Sequence, residues 1–94
     1  MKETIEKLNN EGKPFMVKFT ANWCGGCKQI QPTLDILKND INIVEFDVDS
    51  DIDYPKSLGI RSIPTLIIFK EGIEKERLIG IVSKEQILET FNKN

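Results

Sequence analysis

Histidine is absent from this 94-residue chain, and cysteine occurs only twice. A structural zinc site draws four ligands from Cys, His and carboxylate. Without histidine or a second cysteine pair the usual set cannot be assembled, so no metal is expected. Long apolar runs are missing too: no stretch approaches the ~20 residues a membrane-spanning helix needs, and no membrane partner is expected. Charge of one sign is scarce, with 13 Lys and Arg against 15 Asp and Glu for a net −2, which leaves no basic footprint for nucleic acid. The opening MKETIEKLNNEGK is charged and polar, with no apolar run of signal-peptide length. A cytoplasmic location is therefore expected, in a reducing compartment where paired cysteines more often serve chemistry than structure. Linkers, repeats and low-complexity tracts are lacking as well. Residues 1–94 thus read as one domain, large enough to fold alone but with little core to spare. A monomer is expected.

Both cysteines fall in the run Trp23-Cys24-Gly25-Gly26-Cys27-Lys28. Two sulfurs spaced in this way close into a small ring and reopen, storing and delivering two electrons. A helix starting at the first sulfur adds unpaired N–H groups and the positive end of its dipole, which favour a thiolate at Cys24. Two plainer readings remain open on the residues alone. A purely structural disulfide closing so short a loop removes little unfolded-state entropy, roughly 2 kcal/mol on the chain-entropy model. Two merely buried thiols are the other, since free cysteine is often a small core residue. The Gly25-Gly26 spacer argues against that, because residues without side chains bare the sulfur to a partner and permit the tight turn.

Apolar periodicity switches repeatedly between helix and strand. Met1, Ile5 and Leu8 share one helical face, and Gly12 with Pro14 closes that helix. Phe15 to Thr20 reads as a buried strand. A helix to about Lys38 follows the C-x-x-C; in it Cys27, Ile30, Leu34 and Leu37 fall on one stripe, so Cys27 faces the core and Cys24 the exposed tip. Pro32 is expected to kink that helix. Ile41 to Val48 reads as a strand and Ile52 to Leu58 as a short helical turn. Pro64 to Phe69 and Ile73 to Ile79 are two strands joined at Lys70-Glu71-Gly72. Ser83 with Gln86 opens a last helix whose Ile87, Leu88 and Phe91 face inward. The order is α-β-α-β-α-β-β-α.

Val17 to Lys28, Pro32, and Gly59-Ile60-Arg61-Ser62-Ile63-Pro64-Thr65 resemble the corresponding segments of the thioredoxin family. Phe69-Lys70-Glu71-Gly72 and Gly80 extend the resemblance over about residues 12 to 92. It implies an α/β, thioredoxin-like fold: a central mixed sheet flanked by helices, the dithiol at a helix N-terminus, and a cis Ile63–Pro64 bond facing the sulfurs. On the residues alone, a proline opening an edge strand would suffice. The family's first strand is absent ahead of the opening helix, so the sheet is expected to have four strands. Gly26 replaces the family's proline between the cysteines and loosens the turn. Thr20 stands where an aromatic residue is common, leaving Trp23 as the tryptophan beside the dithiol.

Charge is where the chain departs most from the family, which usually carries a buried Asp beneath the second cysteine, paired with a Lys on the neighbouring strand. Here those positions align with Lys18 and Glu45, so the pair is reversed. Each is a charge inside an apolar strand, where pairing would offset its desolvation. Alternatively, either side chain reaches past the sheet edge to water.

The resemblance further implies dithiol–disulfide exchange on disulfide-containing protein substrates. Cys24 attacks, Cys27 resolves, and Glu45, directly or through water, takes the proton of Cys27, whose thiolate an apolar pocket disfavours. A thioredoxin reductase-type donor is the expected source of electrons, and no cofactor beyond the Cys24–Cys27 disulfide is expected. Trp23, Gly25, Gly26, Ile60, Ile63, Pro64, Gly80 and Ile81 form the expected docking surface, with Ile60 and Ile81 serving chiefly as packing. The alternatives are a more oxidising or isomerase-like catalyst, favoured by Gly26 and Lys18, and a binding module that uses the fold as a scaffold.

Overall fold

The computed structural model of the chain describes residues 2–94; Met1, read above as sharing one helical face with Ile5 and Leu8, lies outside the described residues. Eight elements follow one another: α1 (Lys2–Glu11), β1 (Phe15–Thr20), α2 (Gly25–Leu37), β2 (Ile43–Asp47), α3 (Asp53–Ser57), β3 (Thr65–Lys70), β4 (Ile73–Ile79) and α4 (Lys84–Lys93). The strands form a four-stranded sheet in the order β2-β1-β3-β4. Strand β1 runs parallel to β2 and antiparallel to β3, and β3 pairs antiparallel with β4. This is the mixed sheet that the resemblance implies, and it leaves β2 at one edge.

Alternation along β1 sorts its side chains to two faces. Met16 packs with Ile30, Leu34 and Leu37 of α2 and Ile87 of α4. Phe15, Val17 and Phe19 pack on the other face with Ile5 of α1, Phe46 and Ile67, and Tyr54 and Leu58 lean on the same cluster. Lys18 has the parity of Met16, so its side chain enters the α2 side of the sheet. Every residue from Phe15 to Phe19 is buried, Lys18 included.

The local signals have visible partners. Glu71 and Gly72 both adopt positive φ, 58° and 76°, the twist that lets a two-residue turn join Lys70 to Ile73. Ser83 Oγ accepts the Gln86 N–H at 3.1 Å and caps α4. Helix α2 continues through Pro32 to Leu37. Strand β2 is shorter than the Ile41 to Val48 reading, because the Asp40 and Ile41 N–H groups bond back to Leu37 O at 2.9 and 2.8 Å and close α2.

Candidate active site

Helix α2 begins at the first cysteine. Cys24 is its N-cap, with extended backbone (φ −83°, ψ 106°), and Cys24 Sγ accepts the Cys27 N–H at 3.1 Å. The two cysteines are joined as a disulfide with their Cα atoms 5.3 Å apart. When the bond is reduced, the same N–H and the helix dipole favour negative charge on Cys24. Gly25 and Gly26 fill the first turn without side chains over the sulfurs.

Cys24 is not the exposed tip that helical periodicity implies. It is 5 % exposed and Cys27 1 %, and both belong to a small apolar cluster with Ala21, against which Val48 and Ile63 pack. Val48 and Ile63 come from beyond β2 and from the segment before β3, so a pattern confined to α2 contains no sign of them.

Around Gly26 three of the expected docking residues meet. A Cβ on Gly26 would lie 3.2 Å from Pro64 Cδ and 3.8 Å from Ile81 Cγ1, so its lack of a side chain permits this close approach. The Ile63–Pro64 bond is cis, as the resemblance implies. The Gly80 N–H donates to Pro64 O at 2.9 Å, tying the loop after β4 to the segment before β3. Ile81 is 54 % exposed while its side chain packs beside Gly26, so it presents apolar surface next to the dithiol turn as well as a packing contact. Ile60 is half-buried and leans on the core cluster beneath β1.

Next to the first cysteine in sequence, Trp23 joins Ile52, Ile60 and Ile63 in lining a groove of about 450 Å³. Trp23 is 69 % exposed, yet its Nε1–H donates to Asp49 Oδ2 at 2.8 Å, which fixes the ring at the rim. Asp49 and Ile52 escaped the sequence reading. An isolated aspartate offers no signal until folding brings it to the indole, and Ile52 reads simply as the start of a helical turn.

A second groove, of about 510 Å³, is lined by Cys27 together with Lys18, Lys28, Gln31 and Glu45. Lys18 and Glu45 are register partners on β1 and β2, and Lys18 Nζ lies 3.2 Å from Glu45 Oε1. The pair exists, but it is not buried on both sides. Glu45 sits on the edge strand and opens to water, while Lys18 lies against α2. Lys18 Nζ also donates to Gln31 Oε1, and Gln31 Nε2 donates to Asp35 Oδ1 at 2.8 Å. Hydrogen bonds from Gln31 and then Lys38 hold the exposed Asp35 carboxyl below the ordinary carboxylate value. Gln31 also went unread in the sequence, although its position four residues after Cys27 puts both on one helix face.

Among the described residues no group of three or more His, Cys, Asp and Glu is placed to hold a metal ion, and no helix is long and apolar enough to cross a membrane. The family model that matches residues 2–93 is Thioredoxin. The chain is 38 % identical over 85 residues to a thioredoxin of Rickettsia felis, covering 86 % of this chain and 81 % of that one. To a thioredoxin of Listeria monocytogenes it is 38 % identical over 94 residues, 96 % of this chain and 90 % of that one. Among solved structures, thioredoxin of Fasciola hepatica superposes with a TM-score of 0.87 at 29 % identity, over 98 % of this chain and 92 % of the other. A thioredoxin of Nicotiana alata also gives 0.87, at 28 % identity, over 98 % and 82 %.

Proposed function

Because this chain belongs to the thioredoxin family, and is thus a thiol–disulfide oxidoreductase built on its Cys24–Cys27 pair, we propose that Cys24 is the attacking thiolate and Cys27 the resolving one. The observation that carries this assignment is the position of Cys24 Sγ at the N-cap of α2, where it already accepts the Cys27 N–H. In the reduced protein the Cys24 thiolate attacks one sulfur of a substrate disulfide. A Cys24–substrate bond forms, and the other substrate sulfur leaves as a thiolate. Cys27 then loses its proton and attacks Cys24 Sγ, closing Cys24–Cys27 and expelling the second substrate sulfur. The two departing thiolates gain protons from solvent. The substrate disulfide has taken up two electrons, and the protein has lost two.

Glu45 is the proposed acceptor of the Cys27 proton through water. Its support is that it walls the same groove as Cys27 and is largely solvated. Lys18 is proposed to stabilise the reduced form, since a cation beside a thiolate favours it and makes the disulfide easier to reduce. That buried charge favours a second reading, of a protein more oxidising than a thioredoxin with a buried carboxylate in this position. The docking surface is proposed to comprise Trp23, Gly25, Gly26, Ile60, Ile63, Pro64, Gly80 and Ile81, accepting an extended segment of a disulfide-containing protein. A thioredoxin reductase-type donor in the cytoplasm would return the two electrons, and residues 1–94 would act as one domain.

The test is catalysed reduction of insulin with dithiothreitol as electron source. The protein accelerates it, and Cys24→Ser brings the rate to that of dithiothreitol alone; an unchanged rate in Cys24→Ser removes Cys24 from the reaction.

A further inference from the structure

Lys18 is the one buried charged residue among the described residues, and what holds it bears on the chemistry of Cys27. Its ammonium has acceptors on two sides. Glu45 Oε1 lies 3.2 Å away toward the sheet edge and solvent, and Gln31 Oε1 lies toward α2. The Gln31 amide is oriented at its other end, where Nε2 donates to Asp35 Oδ1 at 2.8 Å, leaving its oxygen for Lys18. Cys27 and Gln31, four residues apart, occupy one face of α2, and both wall the groove that Lys18 enters.

We propose that Gln31 is a positioning residue: it holds the Lys18 ammonium on the Cys27 side of the sheet, so that the cation stabilises the Cys27 thiolate. The inference rests on the exchange reading above. Glu45 alone would draw the ammonium along the flexible lysine stem toward the edge and water, where greater distance and solvent weaken its field at the sulfur. An amide suits this task better than a carboxylate. It accepts from the ammonium without cancelling its charge, so the cation is fixed and its effect on the thiolate survives. The other charged groups around this sulfur are Lys28 at the groove wall, Glu45 across it, Asp35 one turn beyond Gln31, and the Cys24 thiol with which Cys27 is coupled.

The test follows the Cys27 13Cβ shift against pH in the reduced protein, for wild type, Gln31→Leu and Gln31→Glu, each with and without Lys18→Met. Loss of the amide in Gln31→Leu raises the Cys27 midpoint by roughly half to one pH unit, equivalent to about three- to tenfold less thiolate near neutral pH. Gln31→Glu raises it further, because the carboxylate neutralises Lys18. In the Lys18→Met background the Gln31→Leu shift disappears. A Cys27 midpoint that stays put in both single variants, or a Gln31→Leu shift that is the same without Lys18, overturns the proposal. Insulin reduction by the wild type reports separately on the exchange reading, and its absence would remove that reading while the titration still decides the role of Gln31.

Discussion

Lys18 and Glu45 face each other in register across β1 and β2, 3.2 Å apart, yet the lysine side chain is 4 % exposed and the glutamate 56 %. The asymmetry follows from the sheet order, since β1 is interior and β2 is an edge. A charge on the interior strand must find acceptors inside, whereas its partner keeps its hydration. The contribution of this pair to stability is therefore modest, and its proposed effect is on Cys27, which lines the same groove.

Replacing Lys18 by Met removes a cation that favours the reduced form. Above the Cys27 midpoint, where the reduced form carries the thiolate, the reduction potential should fall by about 15–30 mV, as expected for a half to one pKa unit in a two-electron couple, and by less at neutral pH. The wild type should lie above the value of about −270 mV typical of thioredoxin. Stability should change little or rise, because an apolar side chain of similar length replaces a buried ion. Equilibration with a glutathione or dithiothreitol buffer measures the shift, and a higher potential in Lys18→Met contradicts the assignment.

The Trp23–Asp49 hydrogen bond fixes the ring at the groove rim. Asp49→Ala should free the indole, lowering the fluorescence anisotropy of the chain's one tryptophan. It should raise KM for a protein disulfide about threefold, with kcat nearly unchanged, because a loosened anchor costs ordering on binding, about 0.5–1.5 kcal/mol per immobilised side chain. Unaltered anisotropy and KM would show that Asp49 does not anchor Trp23.

Tyr54 packs against Phe19 and Phe46, with ring centroids 6.3 and 5.2 Å away. Burial, aided by Glu6 and Glu74, raises its phenol above the ordinary value of 10.0. The folded chain thus holds this proton more tightly than the unfolded chain. Its contribution to stability is full below about pH 10 and is lost as pH rises through the higher folded value. Absorbance titration of this sole tyrosine should give a midpoint above 10, and Tyr54→Phe should flatten the decline of stability in that alkaline range.

Much of this was legible before folding. The period changes, the Ser83 cap and the turn before Ile73 depend on neighbours within a few residues, and each stands where the local pattern puts it. The resemblance placed Lys18 opposite Glu45, and β1–β2 pairing bears that out. What escaped depends on residues that only the fold brings near. Cys24 lies at a helix tip, but it is buried in a cluster against which Val48 and Ile63 pack from other segments. Glu45 gains its exposure from the edge position of β2, a property of the whole sheet. Gln31 and Asp49 are polar surface residues in sequence, and acquire roles only through Lys18 and Trp23.

The central claim, that Cys24 attacks and Cys27 resolves, is tested most directly by trapping. Reduced Cys27→Ser and Cys24→Ser proteins are each mixed with an excess of insulin, quenched with acid, and the adducts mapped by mass spectrometry. Cys27→Ser should accumulate a mixed disulfide on Cys24, because the resolving thiol is gone, while Cys24→Ser should form little adduct on the buried Cys27. Faster adduct formation on Cys27 in Cys24→Ser than on Cys24 in Cys27→Ser would contradict the account and reverse the two roles.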